Sequence, residues 1–385
     1  MWNRFDSARV TLLVTVAFIS LFLFGRFYQS DFEPSSFVVA GDYFCNPQVV
    51  HPSLKVEPNS AGFDGQFYYR FALNPFTSQR IERGIEIDSP ALRHQRILYP
   101  VLGWILSAGN PALVPLVMIL INFVALCAMG WMGGIYAQTL RQHALWGVFL
   151  PLYPGFLFTL SRNLVEILEI SLLLGSLLLV RRNKPLAATL LLVLAVLTKE
   201  TALLVAMAAA IVYLFEWLKG SATEKIKWHY FVAPFIVFAL WQVTLFFNWG
   251  EFPIRASGNA NFGVPLYGPV NFFLDIASLD NFAEWKAFIE TIFLAVFCFA
   301  VIYSLRPSIA SKHEKVCWLL FTLLAVSLTR AVWSEDWTFL RASSHAYTLG
   351  AIVLIASDSK IKKVIFGLAL VIWLYLFRWL CGGLL

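Results

Sequence analysis

Carboxylates and cations set among apolar residues are the groups in this chain able to do chemistry. The stretch "GFDGQFYYR" (62–70) places Asp64 between Phe63 and Gly65, ahead of Phe67, Tyr68 and Tyr69. Glycine lets a backbone turn sharply or approach a ligand closely. Aromatic faces suit sugar stacking or an interfacial anchor. A carboxylate presented this way suits a general base that takes a proton from a reacting hydroxyl. It also suits the N-cap of a short helix. Asp42 in "GDYF" (41–44) repeats the pattern and is the second candidate for either role.

Cations come next. "RHQRILYP" (93–100) sets Arg93 and Arg96 three residues apart. On a helix they share a face, which makes a paired clamp for phosphate or diphosphate or two headgroup-snorkelling side chains. "SRNLVEILEIS" (161–171) sets Glu166 and Glu169 one turn inside an apolar run, and "TKET" (198–201) carries Lys199 and Glu200 between two more. Ionisable groups at membrane depth are costly and mark functional sites. The structural alternative pairs these glutamates with Arg162 or Lys199. In "TRAVWSEDWTFLRASSHAY" (329–347), Arg330 and Arg341 flank Glu335 and Asp336, and His345 follows a turn later. Arg93, Arg96, Lys199, Arg341 and Arg330 are the candidate phosphate ligands. Tyr68, Tyr69, Glu166, Glu200 and His345 are the candidate pocket lining, with His345 also read as a buried, hydrogen-bonded histidine. Arg80, Glu82, Arg83 and Glu86 read as a solvated loop.

The elements that position these groups follow from composition. Of 385 residues 59% are hydrophobic and only 14% charged, about half the charged share of a soluble domain. Apolar runs long enough to cross a bilayer recur along the chain. The expectation is an all-α, polytopic helix bundle of about eleven spans, forming one transmembrane domain over 1–385. The expected spans are 10–27, 112–137, 144–160, 164–181, 185–198, 201–217, 229–248, 287–305, 316–330, 343–357 and 364–381. A polar loop with short surface helices covers 28–97 and reaches 110 with the half-length run 97–109. A second, smaller loop covers 249–286.

The basic clusters at 181–184, 219–227, 306–315 and 360–363 belong in the cytoplasm by the positive-inside rule. Counting crossings from them puts the N-terminus inside and the C-terminus outside. It also puts the 28–97 loop, Lys199 and Glu200, and the 330–341 loop at the outer face of the cytoplasmic membrane. The net charge of +6 is thus a membrane signal and not nucleic-acid affinity. The five cysteines imply no disulfide framework, and the first apolar run reads as a retained helix. Phosphate-binding loops of the GxxxxGK[ST] kind, GxGxxG, HExxH, paired CxxC and GxSxG are all missing, so nothing favours nucleotide hydrolysis, zinc chemistry or serine hydrolysis.

The plan resembles the GT-C superfamily of integral-membrane glycosyltransferases, and among them bacterial proteins of cell-surface glycopolymer formation. The residues that carry the likeness are "GFDGQFYYRFALNPF" (62–76), "RHQRILYPVLGWILS" (93–107) and "LAVLTKETALL" (194–204), with "SEDWTFLR" (334–341) as a looser match. The resemblance implies a polyprenyl-phosphate sugar donor, a glycan, lipid or protein acceptor, and transfer at the extracytoplasmic face. It puts Asp64 where the loop's catalytic acid sits. Many such enzymes carry two nearby acids as DxD or ExD, whereas Gly65 and Gln66 follow Asp64 here. No cofactor is therefore expected, and a divalent metal has only weak support. A single carboxylate suffices for direct inverting displacement, and retaining chemistry would want a close pair. Two other classes remain open: a lipid-linked-sugar transporter or flippase using Glu166, Glu169 and Lys199 as a relay, and a non-catalytic export subunit. Repeated halves with broken spans would favour the transporter, and the chain carries no convincing internal repeat.

Overall fold

The computed structural model describes residues 6–220, 226–256, 261–334 and 336–382. Glu335 and residues 221–225 of the 219–227 basic cluster lie outside the described residues, as does the side chain of Asp336. The protein is 70% helix and 3% strand.

Ser7 accepts the Val10 amide and starts α1 (Ala8–Gln29). The polar segment after it forms only short pieces. Strands β1 (Ala40–Gly41) and β2 (Val56–Glu57) pair in parallel. Helix α2 (Gly65–Leu73) follows, then the hairpin β3 (Ile81–Glu82) and β4 (Ile85–Glu86), then α3 (Pro90–His94) and α4 (Leu98–Ser107). The bundle continues with α5 (Val114–Thr139), α6 (Gly155–Leu160), α7 (Glu166–Arg181), α8 (Pro185–Thr198) and α9 (Leu203–Leu218). Next come α10 (Ala233–Trp249), α11 (Pro253–Ala256), α12 (Tyr267–Asp275) and α13 (Phe282–Ser304). The chain closes with α14 (Lys312–Val326), α15 (Arg330–Trp333), α16 (Asp336–Ala342), α17 (Ser344–Ile355) and α18 (Ile361–Leu380).

Six helical segments among the described residues are long and apolar enough to cross a membrane: Ala8–Gln29, Val114–Thr139, Glu200–Leu218, Trp228–Trp249, Phe282–Ser304 and Ile361–Leu380. The expectation of about eleven spans is corrected to this number. The runs at 144–160, 164–181, 185–198, 316–330 and 343–357 do not make full-length helices. The first breaks at Pro151 and Pro154, which lack amide hydrogens, into a 3-10 turn (Ala144–Phe149) and α6. The other four give α7, α8, α14 and α17, of 16, 14, 15 and 12 residues. At 1.5 Å per residue they run roughly 18–24 Å, short of a hydrocarbon core of about 30 Å.

Burial explains the difference for α7 and α17. Every residue of α17 is buried, and so are thirteen of the sixteen in α7. The long helices instead turn apolar faces outward, with Leu240 and Phe247 of α10 and Phe299 of α13 well exposed. A helix apolar all round belongs in the interior, where it has no lipid thickness to match.

The two ends of α7 belong to two separate charge clusters. At its C-terminal end Arg181 donates to both oxygens of Glu314, at 2.6 Å each, and Tyr136 also donates to Glu314. Glu314 doubles as the capping residue of α14 by accepting the Ser311 amide. The same end holds Lys312 on Glu216, Lys362 on Gln142 and the Ser357 carbonyl, and Asp6 on the Ala144 amide. The clusters 181–184, 306–315 and 360–363 thus share one end of the bundle. Glu166, at the other end of α7, belongs to the cluster described below.

Glu314 is fully buried, so removing it leaves the Arg181 guanidinium without its carboxylate. We expect Glu314→Ala to cost about 3–5 kcal/mol, the usual result of breaking one half of a buried pair. Arg181→Met combined with Glu314→Leu should cost less. Equilibrium unfolding in detergent measures both, and wild-type stability of Glu314→Ala would refute a structural pair.

Candidate active site

The loop that presents Asp64 is held by close backbone contacts. Gly62 has φ +62° and packs against Val39, where a Cβ would lie 2.5 Å from the Val39 carbonyl oxygen. Gly65 starts α2 directly against the 161–163 turn, and a Cβ there would lie 2.4 Å from the Arg162 carbonyl oxygen. Gln66 clamps the loop from inside. Its amide donates to the Ala61 carbonyl at 2.8 Å, and its oxygen accepts from the Gly41 amide at 3.1 Å. All nine residues of α2 are buried. The "DG" pair is therefore the meeting point of loop, helix and bundle.

Asp64 occupies the N-cap position of α2 but makes no side-chain capping bond. Its carboxylate turns to cations. Oδ1 lies 2.8 Å from Arg93 Nη1, and Oδ2 lies 3.5 Å from Arg341 Nη1. Asp88 holds Arg93 from the other side, accepting from Nε at 2.9 Å and Nη2 at 2.7 Å. The Arg93 guanidinium sits over the Phe67 ring, 4.8 Å from its centre. Burial alone would raise the Asp64 carboxyl, but Arg93, Arg341, Arg96 and Lys199 outweigh it and hold the group at about 2. The side chain remains 21% exposed, so a ligand reaches it.

Further cations surround this pair. Arg341 Nε lies 3.6 Å from Glu166 Oε1, which Lys199 Nζ also meets at 3.0 Å. Arg96 grips Glu200 with two bonds, at 2.7 and 3.1 Å, and donates to the Tyr68 hydroxyl at 3.0 Å. Lys199 is extended, with φ −159° and ψ 136°, where α8 stops. That break turns Lys199 and Glu200 into the cluster. Below them Glu169 accepts from the Thr201 hydroxyl at 2.6 Å and faces His345 Nε2 at 2.9 Å. The His345 ring stacks on Phe321 with centres 4.5 Å apart.

The structure thus brings Asp64, Arg93, Arg96, Lys199, Arg341, Tyr68, Glu166 and Glu200 together, with His345 joined through Glu169. Three candidates fall elsewhere. Asp42 accepts the Asn59 and Ser60 amides at 2.9 and 3.0 Å, which organises its own loop and holds its carboxyl below the usual range. Tyr69 points away from Asp64, donating to the Pro111 carbonyl at 3.3 Å and lining a separate cleft with His51 and Arg83. Arg330 pairs with Asp275 at 2.6 Å on the surface. Glu82 is no solvated loop residue, because it meets the fully buried Arg70 and accepts from the Thr77 hydroxyl at 2.8 Å. Sequence reasoning missed Asp88 and Thr201. The only signal for Asp88 was an acid five residues before Arg93.

Four cations (Arg93, Arg96, Lys199, Arg341) meet four carboxylates (Asp64, Asp88, Glu166, Glu200), so these eight side chains sum to zero charge. Arg341 is the most loosely held cation, with both of its contacts at 3.5 Å or more. Among the described residues no three Asp, Glu, His or Cys side chains gather as a metal site. Comparison with protein-family models finds no match, and comparison with curated proteins finds none.

The lowered Asp64 carboxyl makes stability depend on pH. A carboxyl at about 2 when folded and about 3.9 when unfolded contributes about 2.6 kcal/mol at neutral pH, lost progressively as pH falls from about 5 through 2. We expect the stability gap between wild type and Asp64→Asn to be largest at neutral pH and to close between about pH 5 and 2. Denaturant titration over that range measures it, and a pH-independent gap would contradict the ion-pair assignment.

Proposed function

We propose that this chain is an inverting glycosyltransferase of the GT-C kind, taking its sugar from a polyprenyl-phosphate donor at the extracytoplasmic face of the bacterial cytoplasmic membrane. Asp64 is the general base. The observation that carries this reading is the partly exposed Asp64 carboxylate at the end of a helical bundle, in the field of four cations. Arg341, Arg93, Lys199 and Arg96 hold the donor's phosphate, and Tyr68 borders the sugar.

In the reaction the acceptor hydroxyl oxygen bonds the anomeric carbon as that carbon's bond to the phosphate oxygen breaks. The hydroxyl proton passes to Asp64, and the electron pair leaves on the phosphate. Preorganised cations stabilise that developing charge. A carboxyl held at about 2 is a poor base. A bound phosphate takes up the field of the same cations and raises the carboxyl's affinity for a proton. Donor binding therefore arms the base. A glycan, lipid or protein hydroxyl would serve as acceptor.

We expect Asp64→Asn to lower transfer from a radiolabelled polyprenyl-phosphate sugar by about 10²–10⁴-fold, the usual contribution of a general base. Donor binding should persist, because the substitution leaves all four cations in place. Asp42→Asn should cost less than about tenfold, because Asp42 binds backbone amides and forms no ion pair with the four cations. Purified protein in detergent, assayed for binding and transfer, separates these outcomes. Transfer by Asp64→Asn at the wild-type rate would falsify the assignment.

Orientation is a separate expectation. The basic clusters at 181–184, 306–315 and 360–363 share the end of the bundle opposite Asp64, which supports an outer location for the site. In a cysteine-free background, an impermeant thiol reagent applied to whole cells should label Asn59→Cys but not Lys360→Cys. Labelling of both would overturn the topology.

A further inference from the structure

The basic end of the bundle carries a second concave site, independent of the reading above. A groove of about 450 Å3 opens there, lined by His143, Trp146, Phe149, Lys363, Phe366 and Gly367. Its size falls within the range of about 300–1,000 Å3 typical of ligand clefts. One wall is the 3-10 turn Ala144–Phe149, and the other is the first turns of α18. The Phe149 and Phe366 rings stack with centres 4.4 Å apart, and Trp146 packs at 5.8 Å from Phe366. The turn is pinned to α5, since a Cβ on Gly147 would lie 2.1 Å from the Gly133 backbone. This wall is therefore rigid. Gly367 leaves the floor open, because a Cβ there would meet nothing within 4 Å.

The rim is cationic. Lys362 is committed to the Ser357 carbonyl at 2.6 Å and Gln142 at 2.9 Å, and it sits 5.5 Å from the centre of the Trp146 ring. Lys363 is exposed, and no side-chain partner is recorded for it among the described residues. Asp358, the acid whose field reaches Lys362, accepts from Gln142 at 3.2 Å. The groove thus joins an aromatic wall to the exposed ammonium of Lys363 at the basic end of the bundle. An apolar chain fits the first and a phosphate fits the second. Basic pockets between helices on this side of a membrane take anionic headgroups.

We propose that this groove is a binding site for one anionic phospholipid, with its phosphate on Lys363 and an acyl chain along Trp146, Phe149 and Phe366. The test is native mass spectrometry of the whole protein in micelles doped with phosphatidylglycerol or with phosphatidylcholine, alongside a titration with inorganic phosphate. We expect one retained phosphatidylglycerol, with phosphatidylcholine bound at least about fivefold more weakly, the worth of one surface cation to an anionic lipid. Lys363→Gln should lower phosphatidylglycerol occupancy by a similar factor. Gly367→Trp fills the groove without meeting backbone, and should abolish the bound lipid while leaving the melting temperature in lipid-free micelles unchanged. Equal retention of the two lipids, or Gly367→Trp retaining lipid like wild type, would overturn the site. Phosphate alone binding at Lys363 and blocking the lipid would show an anion site and overturn the lipid assignment. None of these readouts depends on Asp64 or on sugar transfer.

Discussion

The Asp64 carboxylate is shared between Arg93 of the same polar segment and Arg341 of the last third of the chain. Charges at the edge of a bilayer are tolerated only when each finds a partner, and breaking one side of a buried pair strands the other. That constraint reaches well beyond two residues. Arg341 also meets Glu166, Glu166 meets Lys199, and the next residue, Glu200, meets Arg96. Four distant segments are tied at one point. The helices that deliver these charges end where the charges must meet. Helix α7 begins at Glu166, and α8 stops at Lys199.

The parts of the fold legible in sequence were the long apolar helices. The runs that became α1, α5, α13 and α18 leave apolar side chains exposed on one side and show their length as an unbroken apolar stretch. The runs at 164–181 and 343–357 were equally apolar, but they became interior helices, and packing rather than bilayer thickness set their length. Hydropathy does not separate an interior helix from a spanning one. The break of 144–160 at Pro151 and Pro154 was visible in residue type, and its consequence, a fixed 3-10 turn beside α18, was not.

The site divides in the same way. Charges are scarce in this chain, so Arg96, Lys199, Glu166 and Arg341 stood out, and long-range pairing needs brought them together. Neighbours on one helix were harder to separate. Phe67, Tyr68 and Tyr69 look alike as a run, yet successive helical residues point about 100° apart. Phe67 lies under Arg93, Tyr68 accepts from Arg96, and Tyr69 reaches Pro111 on another side. Asp42 and Asp64 share the same local pattern of acid, glycine and aromatics. Only tertiary contact distinguishes an acid that ties two amides of its own loop from one aimed at two arginines. Arg330 and Arg341 flank one short segment, but only Arg341 faces inward.

Charge balance sets how such a site would recognise an anion. With four cations matched to four carboxylates, a free phosphate meets no net attraction and must displace a carboxylate from a cation it already holds. Arg341 yields first, because its contacts at 3.5 and 3.6 Å are longer than a charge-assisted hydrogen bond of about 2.7–2.9 Å. Arg96, gripped twice by Glu200, yields last. An exchange of this kind contributes little affinity by itself, so a tight ligand must bring binding energy from elsewhere. A lipid tail in the bilayer supplies it, at roughly 0.8 kcal/mol per buried methylene. Under the proposed function, lipid-linked anions would then be selected over soluble ones. Giving up Arg341 leaves Asp64 with Arg93 as its one close cation and Glu166 with Lys199, and Asp64 is the group whose basicity the proposed chemistry requires.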